Sequence, residues 1–304
     1  MVLNTLFKKM AYWLLPPGVK QLFCRSKTKT ASPLVAQTPD PIFSSLDLSI
    51  QAIFDRNEVW RNHHVNDSRC FILASGPSIK SQDLTPLKDE ICISVSNWYV
   101  HKDYPLIQPR YHCVPFIGGH MQPTLEETVR WLRQMDEMTN QAVMFFSYGD
   151  KEVVEQSGLF KNRSVYYIRH SVFDDKDLEN IDIDLTHTVL APQSVSVMAL
   201  TIAIFMGFKK IYLLGCDHDW ILHWGTSAHF YHTSEHVVMS RQGYSEWEGA
   251  EDREEDFRAY VSLWKQYKAI RRYIYTKDIK VFNATAGGML DLFPRVVYES
   301  LFKH

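Results

Sequence analysis

The 304-residue sequence lacks both of the commonest nucleotide-binding motifs and has no excess of basic charge. A G-x-G-x-x-G pattern and a G-x-x-x-x-G-K-[ST] pattern are both absent, which excludes the usual dinucleotide fingerprint and the P-loop. The formal net charge is −2, whereas neutralising a phosphate backbone needs a clustered basic surface. We therefore expect no nucleic acid among the main partners.

Cysteine is scarce, and its spacing forms no pattern. None of the five residues stands in a C-x-x-C pair, and four of them lie in or beside apolar runs. An odd, scattered set is typical of reduced thiols, so we expect a cytoplasmic protein whose cysteines are small buried hydrophobic residues. The five are Cys24, Cys70, Cys92, Cys113 and Cys216.

The first 30 residues contain six basic side chains, no acidic one, and apolar residues at helical spacing. The apolar run 10–15 is far shorter than the ~20 residues of a membrane-spanning helix, and Pro16-Pro17 directly after it argues against a signal peptide. Two interpretations stay open: a basic amphipathic helix on the anionic inner face of the membrane, or a helix docked on the protein itself or on a partner subunit. We predict this helix and a linker over 1–40, and a single nucleotide-sugar-binding domain over 41–304.

Short apolar segments alternate with helical patterns through the rest of the chain. Continuously apolar strands separated by helices are typical of a parallel sheet covered on both faces. We therefore predict an α/β fold: a Rossmann-like, doubly wound, mostly parallel sheet of a GT-A-like variant, with a lid insertion at about 217–255. The predicted strands are 70–74, 91–95, 111–114, 142–146, 165–168, 210–214 and 279–282, and the predicted helices are 43–62, 125–138, 194–206 and 256–275.

Small or polar residues follow four of these strands, at 75–78, 96–97, 215–217 and 283–285. Ligands of open parallel sheets bind beyond the carboxyl ends of the strands, where the connections diverge. In the first of these loops, Gly76 would let the backbone approach a ligand, Pro77 presets a turn, and Ser78 would cap a following helix whose free N–H groups favour a phosphate. The alternative is a tight strand-to-helix turn that binds nothing.

Several blocks together resemble the bacterial sialyltransferases of glycosyltransferase family forty-two. The segment Phe71 to Ser78 is similar to that family's first strand and G-x-G-P-S loop, and Asn97-Trp98-Tyr99 to its second strand end. Residues 194–217 resemble its central helix, strand and Gly-x-Asp unit. The phrase Asn283-Ala284-Thr285-Ala286-Gly287-Gly288 resembles the Asn-x-Thr-x-Gly-Gly element of the Maf flagellin-glycosylation proteins and the MptE-like pterin diphosphokinases, which share the domain.

The resemblance implies roles for the matching positions. The loop of Ser75, Gly76, Pro77 and Ser78 would face the nucleotide phosphates or ribose, and Asp217 would lie at the switch point of the sheet. Pro115-Phe116 stand where the family has a further asparagine, a departure that bears on cytidine specificity. The remaining nucleotide-binding positions would be Asn97, Ser194 or Ser196 against the cytidine, Asn283 and Thr285.

The resemblance further implies a general base, a histidine on the lid. A neutral imidazole suits this role because a pKa near 6.5 lets it accept a hydroxyl proton at neutral pH. We assign the base to His229, which has aromatic neighbours, and expect Tyr231 or Tyr244 to donate to the leaving phosphate. Asp217 completes the predicted catalytic set. The other lid histidines are His218, His223, His232 and His236.

A metal site is the rival interpretation of the same segment. Asp217, His218 and Asp219 include plausible ligands, but no His-Glu-x-x-His motif is present. We therefore predict no metal ligand set and no tightly bound cofactor. Mg²⁺ held by Asp217 or Asp219 with a diphosphate is the remaining form of metal dependence. The acidic run 246–256 is interpreted as a solvated face.

Three functions stay open. The leading hypothesis is an inverting glycosyltransferase that moves a sugar, a nonulosonic acid on a CMP-linked donor being favoured, onto a glycan or lipid-linked acceptor in lipopolysaccharide or capsule synthesis. Its place would be the cytoplasm, peripheral on the inner membrane face. The second is diphosphoryl transfer from ATP to a small hydroxymethyl compound. The third is a non-catalytic nucleotide-binding protein.

Overall fold

A computed structural model describes residues 41–67, 69–117, 124–139, 141–222, 229–231 and 253–302. The chain divides into two units, 1–46 and 47–304, and the sheet belongs to the second. The predicted basic helix and linker, and most of the predicted lid insertion, lie outside the described residues. No helix in the described part of the chain is both long and apolar enough to cross a membrane.

Eight strands form one parallel sheet in the order β6-β5-β4-β3-β2-β1-β7-β8. Seven of the strands coincide with predicted ones to within three residues at either end. The eighth, the edge strand β6, was not predicted. The bounds are β1 Cys70–Leu73, β2 Cys92–Val95, β3 Tyr111–Cys113, β4 Val143–Ser147, β5 Val165–Ser171, β6 Thr188–Leu190, β7 Lys210–Leu214 and β8 Lys280–Asn283.

The helices were predicted closely where the apolar period was strong. Helix α3 has the predicted bounds, and its capping box joins the Thr124 hydroxyl to the Glu127 N–H and the Glu127 carboxylate to the Thr124 N–H. The predicted helix 43–62 ends as an α-helix at Asp55 and continues as a 3-10 helix, Arg56–Trp60. The bounds are α1 Pro41–Asp55, α2 Tyr104–Ile107, α3 Leu125–Met138, α4 Lys151–Gln156, α5 Val195–Phe205 and α6 Arg253–Tyr275.

Alternate residues of the central strands enter two separate hydrophobic clusters. Cys70 and Ile72 of β1 pack in the cluster that contains helix α5 and the buried side of α6. Phe71 and Leu73 pack in the cluster that contains Trp131 of α3. Because successive strand residues point to opposite faces, both faces of the sheet are covered by helices, which confirms the predicted α/β class.

The strand order reverses between β1 and β7. From β1 the chain adds strands in one direction as far as β6, and it then returns to place β7 on the other side of β1. Such a reversal opens a crevice at the carboxyl ends of the two strands. The loops that follow β1 and β7 remain joined there, because the Gly76 N–H donates to the Gly215 carbonyl over 2.8 Å.

Candidate active site at the β1–β7 switch point

A cavity of about 350 Å³ opens at this reversal; we call it the switch-point cavity. Its walls come from the loops after β1, β2, β3 and β7, from the first turn of α5, and from residues 229 and 256. Six residues predicted to form the site line it, namely Ser75, Gly76, Ser194, Ser196, Asp217 and His229. The other six predicted residues are Pro77, Ser78, Asn97, Tyr231, Asn283 and Thr285, and they are not among its lining residues.

His229 is attached to the loop after β1. Its Nδ1 lies 2.9 Å from the Ser75 hydroxyl oxygen, and the N–H of the next residue, Phe230, donates to the Ser75 carbonyl over 2.9 Å. The imidazole also stacks on the Tyr231 ring at 5.0 Å between centroids and 11° between planes. Two polar contacts and one stacking contact therefore hold a histidine at the wall of the cavity.

Asp217 lies in a cradle of glycines. An added Cβ at Gly76 would come within 1.7 Å of its Oδ2, and one at Gly288, where φ is +76°, within 2.3 Å of its Cα. The side chain is only 3% exposed, its Oδ1 accepts a 3.3 Å bond from the Ser78 N–H, and its Oδ2 has no partner among the described residues. Burial, reinforced by nearby Asp219, raises the pKa of Asp217 despite bonding from Ser78.

The space beside Gly76 where a side chain would lie is filled by the Asp217 carboxylate. Gly76 also lines the cavity, and the approach of a ligand to its backbone stays a prediction. The expected helix after Ser78 is wrong, because a five-residue 3-10 helix, Pro77–Ser81, begins there with Gly76 at its cap position and no side-chain cap. Ser78 instead presents its backbone N–H to Asp217.

A neutral histidine is locked beside Asp217. The Nε2 of His218 lies 2.9 Å from the Tyr267 hydroxyl, which itself lies 2.8 Å from the Ser196 hydroxyl. Burial lowers the pKa of His218 to about 4, so this imidazole is uncharged at neutral pH. Ser194, beside Ser196, caps helix α5 by accepting from the Ser196 N–H, so both serines take part in the local structure as well as lining the cavity.

Asn97 is engaged inside the protein. Its side-chain oxygen accepts from the Trp131 indole at 2.7 Å and from the Tyr99 hydroxyl at 3.1 Å, and its amide donates to the Tyr231 hydroxyl at 3.1 Å. Tyr231 is 4% exposed and lines a different cavity. The structure therefore does not bring Asn97 or Tyr231 to the switch-point cavity, and the predicted bond from Tyr231 to a leaving phosphate has no support in their positions.

Asn283 and Thr285 shape the loop that carries the glycines. Asn283 donates to the Leu290 carbonyl at 2.8 Å and accepts from the Thr285 N–H at 3.0 Å. The Thr285 hydroxyl accepts from the Cys216 N–H at 3.1 Å. Both side chains are buried. The loop that they shape turns back towards β7, where the Met289 N–H donates to the Asp217 carbonyl over 2.7 Å. Their hydrogen bonds thus serve the fold of the site.

The switch-point cavity has an acidic wall. Asp217, Asp219 and Asp256 line it, and no lysine or arginine is among its described lining residues. No group of three or more His, Cys, Asp or Glu side chains in the described ranges is placed to hold a metal ion. Carboxylates accept hydrogen bonds from hydroxyl and amino groups, so this wall suits the hydroxyl-rich parts of a ligand.

Two further lining features were missed from the sequence. Trp220 contributes to the wall and packs edge-on against Tyr260 of α6, 5.1 Å between centroids. Asp256, interpreted above as part of a solvated face, reaches the same cavity. Neither residue belongs to a sequence motif, and only the folded structure shows that both line the cavity. His223, His232, His236 and Tyr244, which were predicted on the lid, lie outside the described residues.

The four cysteines in the described part of the chain, Cys70, Cys92, Cys113 and Cys216, are free and buried. Burial raises the pKa of each thiol. They are therefore protonated packing groups, as expected, and the thiol of Cys216 at the switch point is no nucleophile at neutral pH.

No protein-family model matches the chain, and no curated protein matches it. Among solved structures, it is similar to the sialyltransferase CstII from Campylobacter jejuni in complex with the substrate analogue CMP-3FNeuAc, at 15% identity over 75% of this chain and 86% of that one, with a TM-score of 0.42. A second structure of that enzyme, with cytidine-5'-monophosphate, gives 15% identity, 76% and 85% coverage and a TM-score of 0.44. At these values we transfer no residue role from either protein.

Proposed function

We propose that the protein is an inverting glycosyltransferase that takes a sugar from a nucleotide-linked donor and passes it to a glycan or lipid-linked acceptor. The observation that supports this best is the placement of His229 against Ser75, at a cavity beyond the carboxyl ends of β1 and β7. This edge is where open parallel sheets bind ligands. A histidine fixed there can take a proton from an acceptor hydroxyl.

The proposed reaction needs one base and no covalent enzyme intermediate. The acceptor oxygen attacks the anomeric carbon, the bond from that carbon to the nucleotide phosphate breaks, and its electron pair leaves with the phosphate. His229 accepts the hydroxyl proton. When the Nδ1–H donates to the Ser75 hydroxyl, the base is Nε2. Ser75 is thus a positioning residue in this mechanism, because its hydroxyl bond orients the ring.

The lining residues support a donor whose bulk is nucleoside and sugar. The acidic wall can accept bonds from ribose, sugar and base amino groups, and the hydroxyls of Ser75, Ser194 and Ser196 can donate to a phosphate. A CMP-linked nonulosonic acid is the favoured donor on the motif resemblance described above. Because three aspartates are among the lining residues, Mg²⁺ brought in with the donor is a specific alternative for balancing the phosphate charge.

The proposed place of action is the cytoplasmic face of the inner membrane, in the synthesis of a cell-surface polysaccharide. Support comes from the basic, apolar-striped sequence of residues 1–30, which would bring the protein to anionic lipids. A lipid-linked acceptor would be within reach there.

A thermal-shift panel of CMP, CDP, UDP, GDP and ATP, with and without Mg²⁺, tests the nucleotide. A ligand at a hundred times its Kd stabilises the folded state by ~2.7 kcal/mol, so stabilisation by CMP without Mg²⁺ is the expected result. Stabilisation by ATP only, and only with Mg²⁺, would replace the transferase with diphosphoryl transfer. No shift with any of the five would remove nucleotide chemistry altogether.

The base is tested by the rate of CMP release from a CMP-linked sugar, with water standing in for the acceptor. We expect His229→Ala to lower turnover by ~10²–10⁴-fold and to leave CMP affinity unchanged. The matched control is His187→Ala, since His187 is 72% exposed and does not line the cavity. Equal turnover in both variants would exclude His229 as the base.

Two variants of Ser75 distinguish two chemical roles for its hydroxyl. If it positions His229, Ser75→Ala lowers kcat with little change in KM, and Ser75→Thr, which keeps the hydroxyl, restores most of the rate. If Ser75 were instead a nucleophile activated by His229, Ser75→Ala would be as inactive as His229→Ala. Mass spectrometry of the enzyme during turnover would then show a sugar on the serine. That result would refute direct displacement.

A further inference from the structure

The structure contains a second cavity, of about 330 Å³, with a different electrostatic character. Its polar wall consists of Lys80, Gln82, His101, Lys102 and Tyr231, and we call it the basic cavity. No acidic side chain is among its lining residues, and neither lysine forms a salt bridge with an acid in the described part of the chain. Asp83 and Asp103 lie nearby, Asp83 within electrostatic range of Lys102 and Asp103 3.7 Å from the His101 Nδ1, but the lining itself carries two cations on one concave surface, which favours an anion.

The basic cavity also offers hydrogen-bonding groups that suit a sugar. The imidazole of His101 accepts from the Asp103 N–H at Nδ1 over 3.2 Å, so in the neutral form its Nε2 carries a proton to donate. The side-chain oxygen of Gln82 is buried without a partner among the described residues, although its amide donates to the Ala284 carbonyl at 2.9 Å. A hydroxyl of a ligand can satisfy an acceptor of this kind, whose desolvation otherwise costs free energy.

Both cavities are built on the same two chain segments. The loop after β1 contributes Ser75 to the switch-point cavity and Lys80 to the basic one. The segment 229–231 contributes His229 to the first, and Phe230 and Tyr231 to the second. Because the His229 ring stacks directly on the Tyr231 ring, a molecule in the basic cavity lies one aromatic ring away from the proposed base.

We infer that the basic cavity binds an acidic sugar of the acceptor, bearing a carboxylate or a phosphate, while the acceptor's reacting hydroxyl lies outside this cavity, at His229. The two lysines would hold the acid group, and Gln82 and His101 would bond hydroxyls. The switch-point cavity, which has acidic side chains and no described lysine or arginine in its wall, would keep the donor. The assignment of this sugar as the acceptor rests on the proposed function, whereas binding of an acidic sugar to the basic cavity can be tested by itself.

The test compares three probes that share one skeleton: glucose, glucuronate and glucose 6-phosphate. Binding to the full-length protein is measured by NMR titration at low salt. We expect glucuronate or glucose 6-phosphate to bind about tenfold tighter than glucose, since an exposed charge pair contributes about threefold and two lysines act together. The acid that binds more tightly identifies the acceptor's charged group. Equal affinity for all three probes would overturn the inference.

Variants locate the binding. In Lys80→Gln/Lys102→Gln, the preference for the acidic probes should disappear, while in the matched control Lys88→Gln it should persist. Lys88 is exposed on the neighbouring 3-10 helix, Thr85–Asp89, and does not line the cavity. An equal loss in Lys88→Gln, or a preference that survives in the double variant, would refute a specific site.

Competition with CMP separates this inference from the proposed function. Acidic probes that stay bound at saturating CMP support two distinct cavities. Displacement of the probes by CMP would place the nucleotide phosphate on the lysines and overturn the inference. Should CMP fail to bind while the acidic probes bind and depend on the two lysines, the basic cavity stands and the proposed donor falls.

Discussion

The packing of Asp217 against Gly76 makes a sharp prediction about stability. Gly76 has φ −58° and ψ 146°, a conformation open to any residue, so alanine should be tolerated if the space were empty. In the structure, an alanine Cβ would lie 1.7 Å from the Asp217 Oδ2 and 2.4 Å from the Gly215 carbonyl oxygen. We therefore expect Gly76→Ala to destabilise the protein even without any ligand.

The size of the expected loss of stability in Gly76→Ala depends on which of the two contacted groups can move. The Asp217 carboxylate is the end of a side chain and can rotate, whereas the Gly215 carbonyl is backbone and is held by its 2.8 Å bond from the Gly76 N–H. Overpacking of a rigid interior costs 1–3 kcal/mol, and contact with backbone places this case near the top, at about 3 kcal/mol. Urea denaturation followed by fluorescence measures the loss in the free energy of unfolding.

Two further variants make the reasoning refutable. Gly287→Ala is the matched control, because its Cβ would meet its nearest atom, the Ser78 Cβ, at 3.4 Å, and its stability should change by less than about 1 kcal/mol. In the double variant Gly76→Ala/Asp217→Ala, the loss of stability should be about 1–2 kcal/mol smaller than the sum of the two single losses, and this difference is the coupling energy. The rest of the loss from Gly76→Ala comes from contact with the Gly215 carbonyl. A Gly76→Ala protein as stable as the wild type would show that Asp217 does not occupy this position.

Three other predictions concern pH, a polar network and the membrane. Burial lowers the pKa of His112 to about 3, so between pH 6.5 and 3 only the unfolded state binds this proton, and the free energy of unfolding falls as the pH falls. In denaturation experiments at several pH values, His112→Asn should reduce this dependence by ~1.4 kcal/mol per pH unit. An unchanged pH dependence would contradict the prediction. Asn97→Ala leaves the Trp131 indole without its acceptor and should cost about 3 kcal/mol without altering CMP affinity, whereas lost affinity in a folded variant would restore Asn97 to the nucleotide site. Deleting residues 1–25 should release the protein from anionic vesicles in a sedimentation assay, at ~1 kcal/mol per basic residue removed, and equal binding by the truncated protein would exclude a membrane helix there.

Local patterns in the sequence determined most of the secondary structure. The strands were predictable because residues buried on both faces leave continuous apolar runs, and helix α3 because its capping box and apolar period are contained within its own residues. The four polar strand ends also predicted which edge of the sheet carries the site. The edge strand β6 was not predicted, although β3, which is equally short, was.

The tertiary structure decided what each polar residue at that edge does. Ser75 and His229 are 154 positions apart, and Ser78 and Asp217 are 139 apart, so no local pattern could show that they are partners. For the same reason the sequence could not tell that Gly76 makes room for Asp217, or that Asn97 is bonded by Trp131 instead of facing the cavity. The sequence alone determined the strands and the polar residues at their ends, because backbone geometry and burial act locally. The pairing of those residues, and the separation of an acidic from a basic cavity, depend on how distant loops meet in the folded chain.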